Sequence, residues 1–125
     1  MENEARKAAE HLIAEANKTI IAVFGGLSQG CYTNSLQHGF WDKLPRNKGE
    51  MIALMHSELS EMLEGVRKPA PDTHCPEFSS EEIELADLLI RAFDYAGGHD
   101  PRLGEALIAK MAYNATRPHK HGKAF

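Results

Sequence analysis

IELADLLIRAFDYA, residues 83–96, is the stretch that decides how this chain folds. Ile83, Leu85, Leu88, Leu89, Ile90 and Phe93 are spread around nearly the whole circumference of a helix. A helix apolar on all sides belongs at the centre of a bundle. Its polar exceptions are Glu84, Asp87, Arg91 and Asp94, which form one stripe at spacings of three, four and three. Acids on such a helix are costly unless paired or bound to a metal. Ser79 with Glu82 predicts a capping box at the start, and Gly97-Gly98 predicts the end.

Upstream, EMIALMHSELSEMLEGVR, residues 50–67, predicts a second long helix. Ile52, Met55, Leu59, Met62 and Val66 have the spacing of a buried face, with Glu58, Glu61 and Glu64 on the adjoining one. Pro69 and Pro71 stop it. The segment KPAPDTHCPEF, residues 68–78, has three prolines and no periodicity, so it reads as a lid or a connector. Downstream, Asp100 and Pro101 predict the cap and first position of another helix, with Leu103, Leu107, Ile108 and Met111 inward. An irregular tail follows Arg117-Pro118.

Toward the N-terminus, residues 3–18 predict a helix with Ala9, Leu12 and Ala16 on one face. Residues 19–24 are β-branched and fit either a short strand or the buried end of that helix. Gly25, Gly26 and Gly30 match neither the dinucleotide nor the Walker spacing and predict a flexible turn. Residues 31–49 are turn-rich, with a break at Pro45, Asn47 and Gly49. Phe40 is expected in the core; Trp41 suits the core or a stacked base equally. The reading is one all-α domain over residues 1–125, a bundle of four main helices.

Charge and composition narrow the function. Hydrophobic residues make up 42% and charged residues 26%, ordinary for a globular protein. A formal net charge of -4 argues against bulk attraction to nucleic acid. Acids concentrate mid-chain, whereas KMAYNATRPHKHGKAF, residues 110–125, carries bases and no acid. No run approaches the roughly 18 apolar residues of a membrane helix. The N-terminus lacks a secretory pattern, and two cysteines, Cys31 and Cys75, build no disulfide framework. A cytoplasmic setting is expected, with both thiols free and buried. His119, His121 and His74-Cys75 lack the companions of a zinc site.

Two acid-x-x-acid pairs, Glu58/Glu61 and Glu84/Asp87, therefore stand out. Residues three apart share a helix face, so two packed helices would bring four carboxylates together. Such a cluster repels itself unless a cation sits within it. All-carboxylate ligation favours Mg²⁺, with Mn²⁺ as a substitute, over iron or zinc. A di-iron bundle would need Glu-x-x-His on two helices, which is missing.

GEMIALMHSELSEMLEGVRK (residues 49–68), EIELADLLIRAFDYA (82–96) and the tail from Lys110 resemble the MazG-like nucleoside triphosphate pyrophosphohydrolases. That all-α superfamily, which includes the dimeric dUTPases, is marked by Glu-x-x-Glu, a spacer and Glu-x-x-Asp. The resemblance runs from about Gly39 to the C-terminus. It implies that Glu58, Glu61, Glu84 and Asp87 bind Mg²⁺. It implies cleavage of a (deoxy)nucleoside triphosphate to the monophosphate and pyrophosphate, in a house-cleaning role. It further implies phosphate contacts from Lys110, Asn114, Arg117 and Lys120, a base-stacking Trp41, Asp94 as a further acid, and a homodimer or tetramer. Glu61 is the carboxylate expected to activate water. Two rivals remain: a non-catalytic nucleotide-sensing module and a carboxylate-bundle metal oxidoreductase.

Overall fold

A computed structural model describes residues 2–125. Four helices follow in order: α1 (Glu2–Gln37), α2 (Lys48–Arg67), α3 (Ser80–His99) and α4 (Leu103–Ala115), then a short 3-10 turn at His119–Gly122. No strand occurs among the described residues, so the fold is all-α as expected. None of these helices is long and apolar enough to cross a membrane. The chain gathers into two compact units whose boundary falls inside α1, just after Gly25-Gly26.

The unit Leu27–Asp100 holds the end of α1, a loop over residues 38–47, and α2 packed along α3. Asn47 caps α2, its side chain accepting the Glu50 N–H at 2.9 Å. The capping box expected at α3 is present: Ser79 Oγ accepts from Glu82 N at 3.2 Å, and Glu82 Oε2 from Ser79 N at 2.8 Å. Between the two helices, residues 68–78 form a connector closed on itself. Asp72 N donates to Phe78 O, Ser80 N donates to Ala70 O, and the Asp72 carboxylate accepts from His74 N and Cys75 N.

The sequence misjudged where α3 stops. It runs through Gly97 and Gly98 to His99, and Asp100 closes it in the left-handed region (φ 58°, ψ 39°). The two glycines serve packing instead: a Cβ on Gly98 would collide with the Trp41 ring, and one on Gly97 with the Ser28 carbonyl and Tyr32. Asp100 is thus the C-cap of α3; α4 begins after Arg102, with no side-chain cap.

The buried face of α2 also differs. Ile52, Leu59 and Val66 stay 45%, 45% and 49% exposed, while Met51 and Glu58 are buried and Met55 and Met62 half-buried. The helix is turned so that a carboxylate, not Leu59, faces α3. Only Trp41, Met51, Phe93 and Ala96 are buried hydrophobic residues among those described.

The other unit comprises the chain to Gly26 with Pro101–Phe125. Gly104 is buried, and a Cβ there would lie 3.3 Å from the Ile21 Cα, so its bare backbone lets α4 lie against α1. Residues 19–24 are helical, and α1 continues through Gly25, Gly26 and Gly30 with no turn. Nothing in the structure explains these three glycines, which have open space at the Cβ position. Residues 31–37 are helix, not turn. Contacts made by Cys31 and Ser35 toward α3, described below, override the turn-rich composition.

Candidate metal centre and adjoining cavity

Glu58 lies in the middle of α2, and Glu84 and Asp87 lie one turn apart on α3. The pairing of these helices brings one carboxylate oxygen from each within 4.8 Å of the others. Glu58 is only 6% exposed. Its Oε1 accepts a 2.6 Å hydrogen bond from Arg91 Nε, while its Oε2 is buried without a partner, as is Glu84 Oε2. Orphaned buried oxygens cost about 1–3 kcal/mol each unless something binds them. Glu61 is exposed and lies outside this three-oxygen cluster, though it is close enough to Glu84 to perturb it.

The carboxylates show their mutual repulsion. Burial, then hydrogen bonding and charge from Glu58 and Glu61, push Glu84 up to about 7. Burial followed by the Glu58 charge raises Asp87, Asp72 in the connector adds to this, and Arg91 opposes it. The set of donors is all oxygen. Oxygens around one Mg²⁺ at about 2.1 Å lie no more than about 4.2 Å apart, so small torsional changes close the cluster onto a cation. Such a set could hold a hard divalent cation.

A cavity of about 250 Å³ opens beside the cluster. Glu58 and Asp87 line it from the acidic side, with Ile90, Arg91 and Asp94 further along α3. Cys31, Asn34 and Ser35 line it from α1, and Phe40 and Arg46 from the loop. At its far end Asp94 is a satisfied hub. Oδ2 accepts from Ser35 Oγ at 2.9 Å and from an Arg46 terminal nitrogen at 2.8 Å, and Oδ1 accepts from Trp41 Nε1 at 2.9 Å. Asp94 therefore anchors the loop and is separate from the three-oxygen cluster.

Trp41 is in the core rather than at a binding face. It is 5% exposed, meets Tyr32 and His99 edge-on, and lies under the Arg46 guanidinium. Its neighbour Phe40 is 60% exposed and lines the cavity, reversing the sequence expectation for Phe40. His99 is held below its usual range, first by burial and then by Lys48 and Arg46, so it packs as a neutral ring. Burial, with help from Asp94, pushes the Cys31 thiol up, which disfavours a thiolate. Cys31 is half-buried, but Cys75 is exposed, contrary to expectation.

Lys110, Asn114, Arg117 and Lys120 lie in the unit containing α4. Lys110 and Asn114 share a face of α4. Lys110 Nζ and Arg117 Cζ stand 4.7 and 5.7 Å from the Tyr113 ring centre, and Asn114 Oδ1 is buried without a partner. Lys120 is in the short 3-10 turn.

Sequence reasoning missed Asn34, Ser35 and Arg46 because it placed them in a turn-rich segment. The spacing Cys31, Asn34, Ser35 was the available signal of a helix face. No protein-family model, curated protein or solved structure matches the chain.

Proposed function

We propose that this protein is an Mg²⁺-dependent nucleotide pyrophosphohydrolase that cleaves (deoxy)nucleoside triphosphates to the monophosphate and pyrophosphate. The observation that carries the reading is Glu58, a carboxylate buried to 6% exposure with one oxygen unpartnered, beside Glu84 and Asp87. Holding one buried and two half-buried acids together is unfavourable unless the arrangement serves a cation. The sequence resemblance to the MazG-like enzymes supplies the reaction class.

In this reading Glu58, Glu84 and Asp87 hold the ion. When bound, Mg²⁺ offsets the triphosphate charge and favours in-line attack by water. Glu61, exposed at the margin of the cluster, orients that water and takes its proton. The cavity receives the nucleoside, with Phe40 offering an aromatic face and Asn34 both donor and acceptor for a base edge. Lys110, Asn114, Arg117 and Lys120 are the proposed further phosphate contacts.

The exposed apolar residues Ile52, Leu59, Leu63 and Val66 on α2, with Leu85, Leu89 and Ile90 on α3, support a homo-oligomer. The house-cleaning role and cytoplasmic setting belong to the same proposal.

Incubation with a panel of ribo- and deoxynucleoside triphosphates and Mg²⁺ tests it. We expect equal amounts of pyrophosphate and monophosphate from at least one nucleotide, and none with EDTA. Release of orthophosphate alone, or no release at all, would refute the reading.

A further inference from the structure

Arg91 divides its guanidinium between two surroundings. Its Nε donates to Glu58 Oε1 at 2.6 Å. Its two terminal nitrogens make no hydrogen bond among the described residues, and the side chain keeps 34% of its surface. That side chain lines the cavity together with Glu58 and Asp87, which also belong to the acidic cluster. Arg91 therefore stands where the cavity meets the carboxylates.

The other guanidinium of the cavity spends one terminal nitrogen on the Asp94 hub. Arg46 donates to Asp94 and Ser35 and lies over the Phe40 and Trp41 rings. Of the two guanidiniums, Arg91 is the more accessible, its side chain 34% exposed against 13% for Arg46. A planar guanidinium with two free terminal amino groups suits two oxygens of one phosphate, which a lysine ammonium cannot match. With Nε fixed on Glu58, the fork is also held in one orientation.

We propose that Arg91 both positions Glu58 for the cation and binds the phosphate attached to the nucleoside, the one retained in the monophosphate product. The inference rests on the nucleotide reading above and adds which phosphate is held, and by what. Glu58 Oε1 is occupied by Nε, so Oε2 is the oxygen left for the ion. Arg91 lines the cavity read above as the nucleoside's, which assigns it the phosphate next to the nucleoside and not the departing pyrophosphate.

Titration calorimetry on the full chain tests this with three probes: Mn²⁺ alone, the four deoxynucleoside monophosphates, and inorganic pyrophosphate, the last two with Mn²⁺ saturating. Arg91→Lys keeps the charge and removes the fork. We expect its monophosphate affinity to fall about tenfold or more and its Mn²⁺ affinity about tenfold, as for loss of a residue that orients a ligand. Pyrophosphate binding should stay within about twofold. Equal losses for monophosphate and pyrophosphate, or no loss for either, would overturn the proposal.

A measurement on the wild-type chain covers the case of a misfolded variant. Modification by phenylglyoxal, mapped by mass spectrometry, should be blocked at Arg91 by monophosphate and not by pyrophosphate; the reverse pattern overturns the assignment. If the wild type binds neither Mn²⁺ nor any monophosphate, the nucleotide reading falls and this proposal with it. Wild-type binding that Arg91→Lys leaves intact removes Arg91 alone.

Discussion

The stripe on α3 carries buried and half-buried acids in two opposite conditions. Asp94, 8% exposed, has three donors, one of them the Arg46 guanidinium. Two turns earlier, Glu84 and Asp87 face Glu58; Glu58 and Glu84 each keep an orphaned oxygen, and burial followed by the Glu58 carboxylate raises the proton affinity of both α3 acids. The same residue chemistry on one helix face is satisfied at one end and unsatisfied at the other. The satisfied end holds a loop in place; the unsatisfied end is where a ligand is needed.

The largest effect should come from the unsatisfied end. Asp87→Asn or Glu61→Gln should lower turnover on the order of 10³-fold, about 4 kcal/mol of transition-state stabilisation, with helical content unchanged. Steady-state pyrophosphate release and circular dichroism on the same samples would show whether chemistry separates from folding. Activity near wild type in either variant would erase the contrast between the two ends.

At the satisfied end the loss should appear in stability. Asp94→Ala leaves Arg46, its side chain 13% exposed, without its partner and removes the acceptor of Trp41 Nε1. Breaking a buried pair in this way costs about 3–5 kcal/mol, measurable by urea unfolding. A cost under about 1 kcal/mol would mean that Asp94 is no anchor.

The reading of α3 shows how far sequence alone reached. The capping box and the acid stripe depend on local spacing, and each appeared where expected; the all-round apolar pattern did not place α3 at a bundle centre, since Leu85, Leu89 and Ile90 stay 44%, 50% and 49% exposed. What escaped depends on partners distant in sequence. Gly97-Gly98 looked like a stop signal because local rules cannot see the Trp41 ring against Gly98. Ile52 and Leu59 looked like core because hydrophobicity alone would not turn Glu58 inward. Asp94 looked like one more acid of the stripe until Ser35, Trp41 and Arg46, all from another part of the chain, supplied its donors. The cavity was invisible for the same reason.

A pH titration sharpens the contrast further. Glu84 binds its proton more tightly in the fold, up to about 7, than in the unfolded chain, near the ordinary glutamate value of 4.5. Between those values the native state holds more protons, so stability should fall as pH rises through that window. Solvent screening reduces the effect to about 1 kcal/mol. Saturating Mg²⁺ should abolish the slope, and Glu84→Gln should remove it in the metal-free protein. A metal-free protein whose melting temperature rises with pH over that range would contradict the repulsion described.

The smallest stability change should be at Phe40, exposed on the cavity wall. Phe40→Ala should shift unfolding by no more than about 0.5 kcal/mol. KM for the preferred nucleotide should nonetheless rise roughly tenfold, the scale of one lost base-stacking contact. Unchanged KM would place the base elsewhere.

That α2 and α3 join to grip a divalent cation is open to direct measurement by titrating metal-free protein with Mn²⁺ and following its paramagnetic resonance signal. We expect saturable binding in the wild type and its loss in a Glu58→Gln, Asp87→Asn double variant that keeps its helical content. Binding unaltered by the double variant, or absent from the wild type, would contradict it.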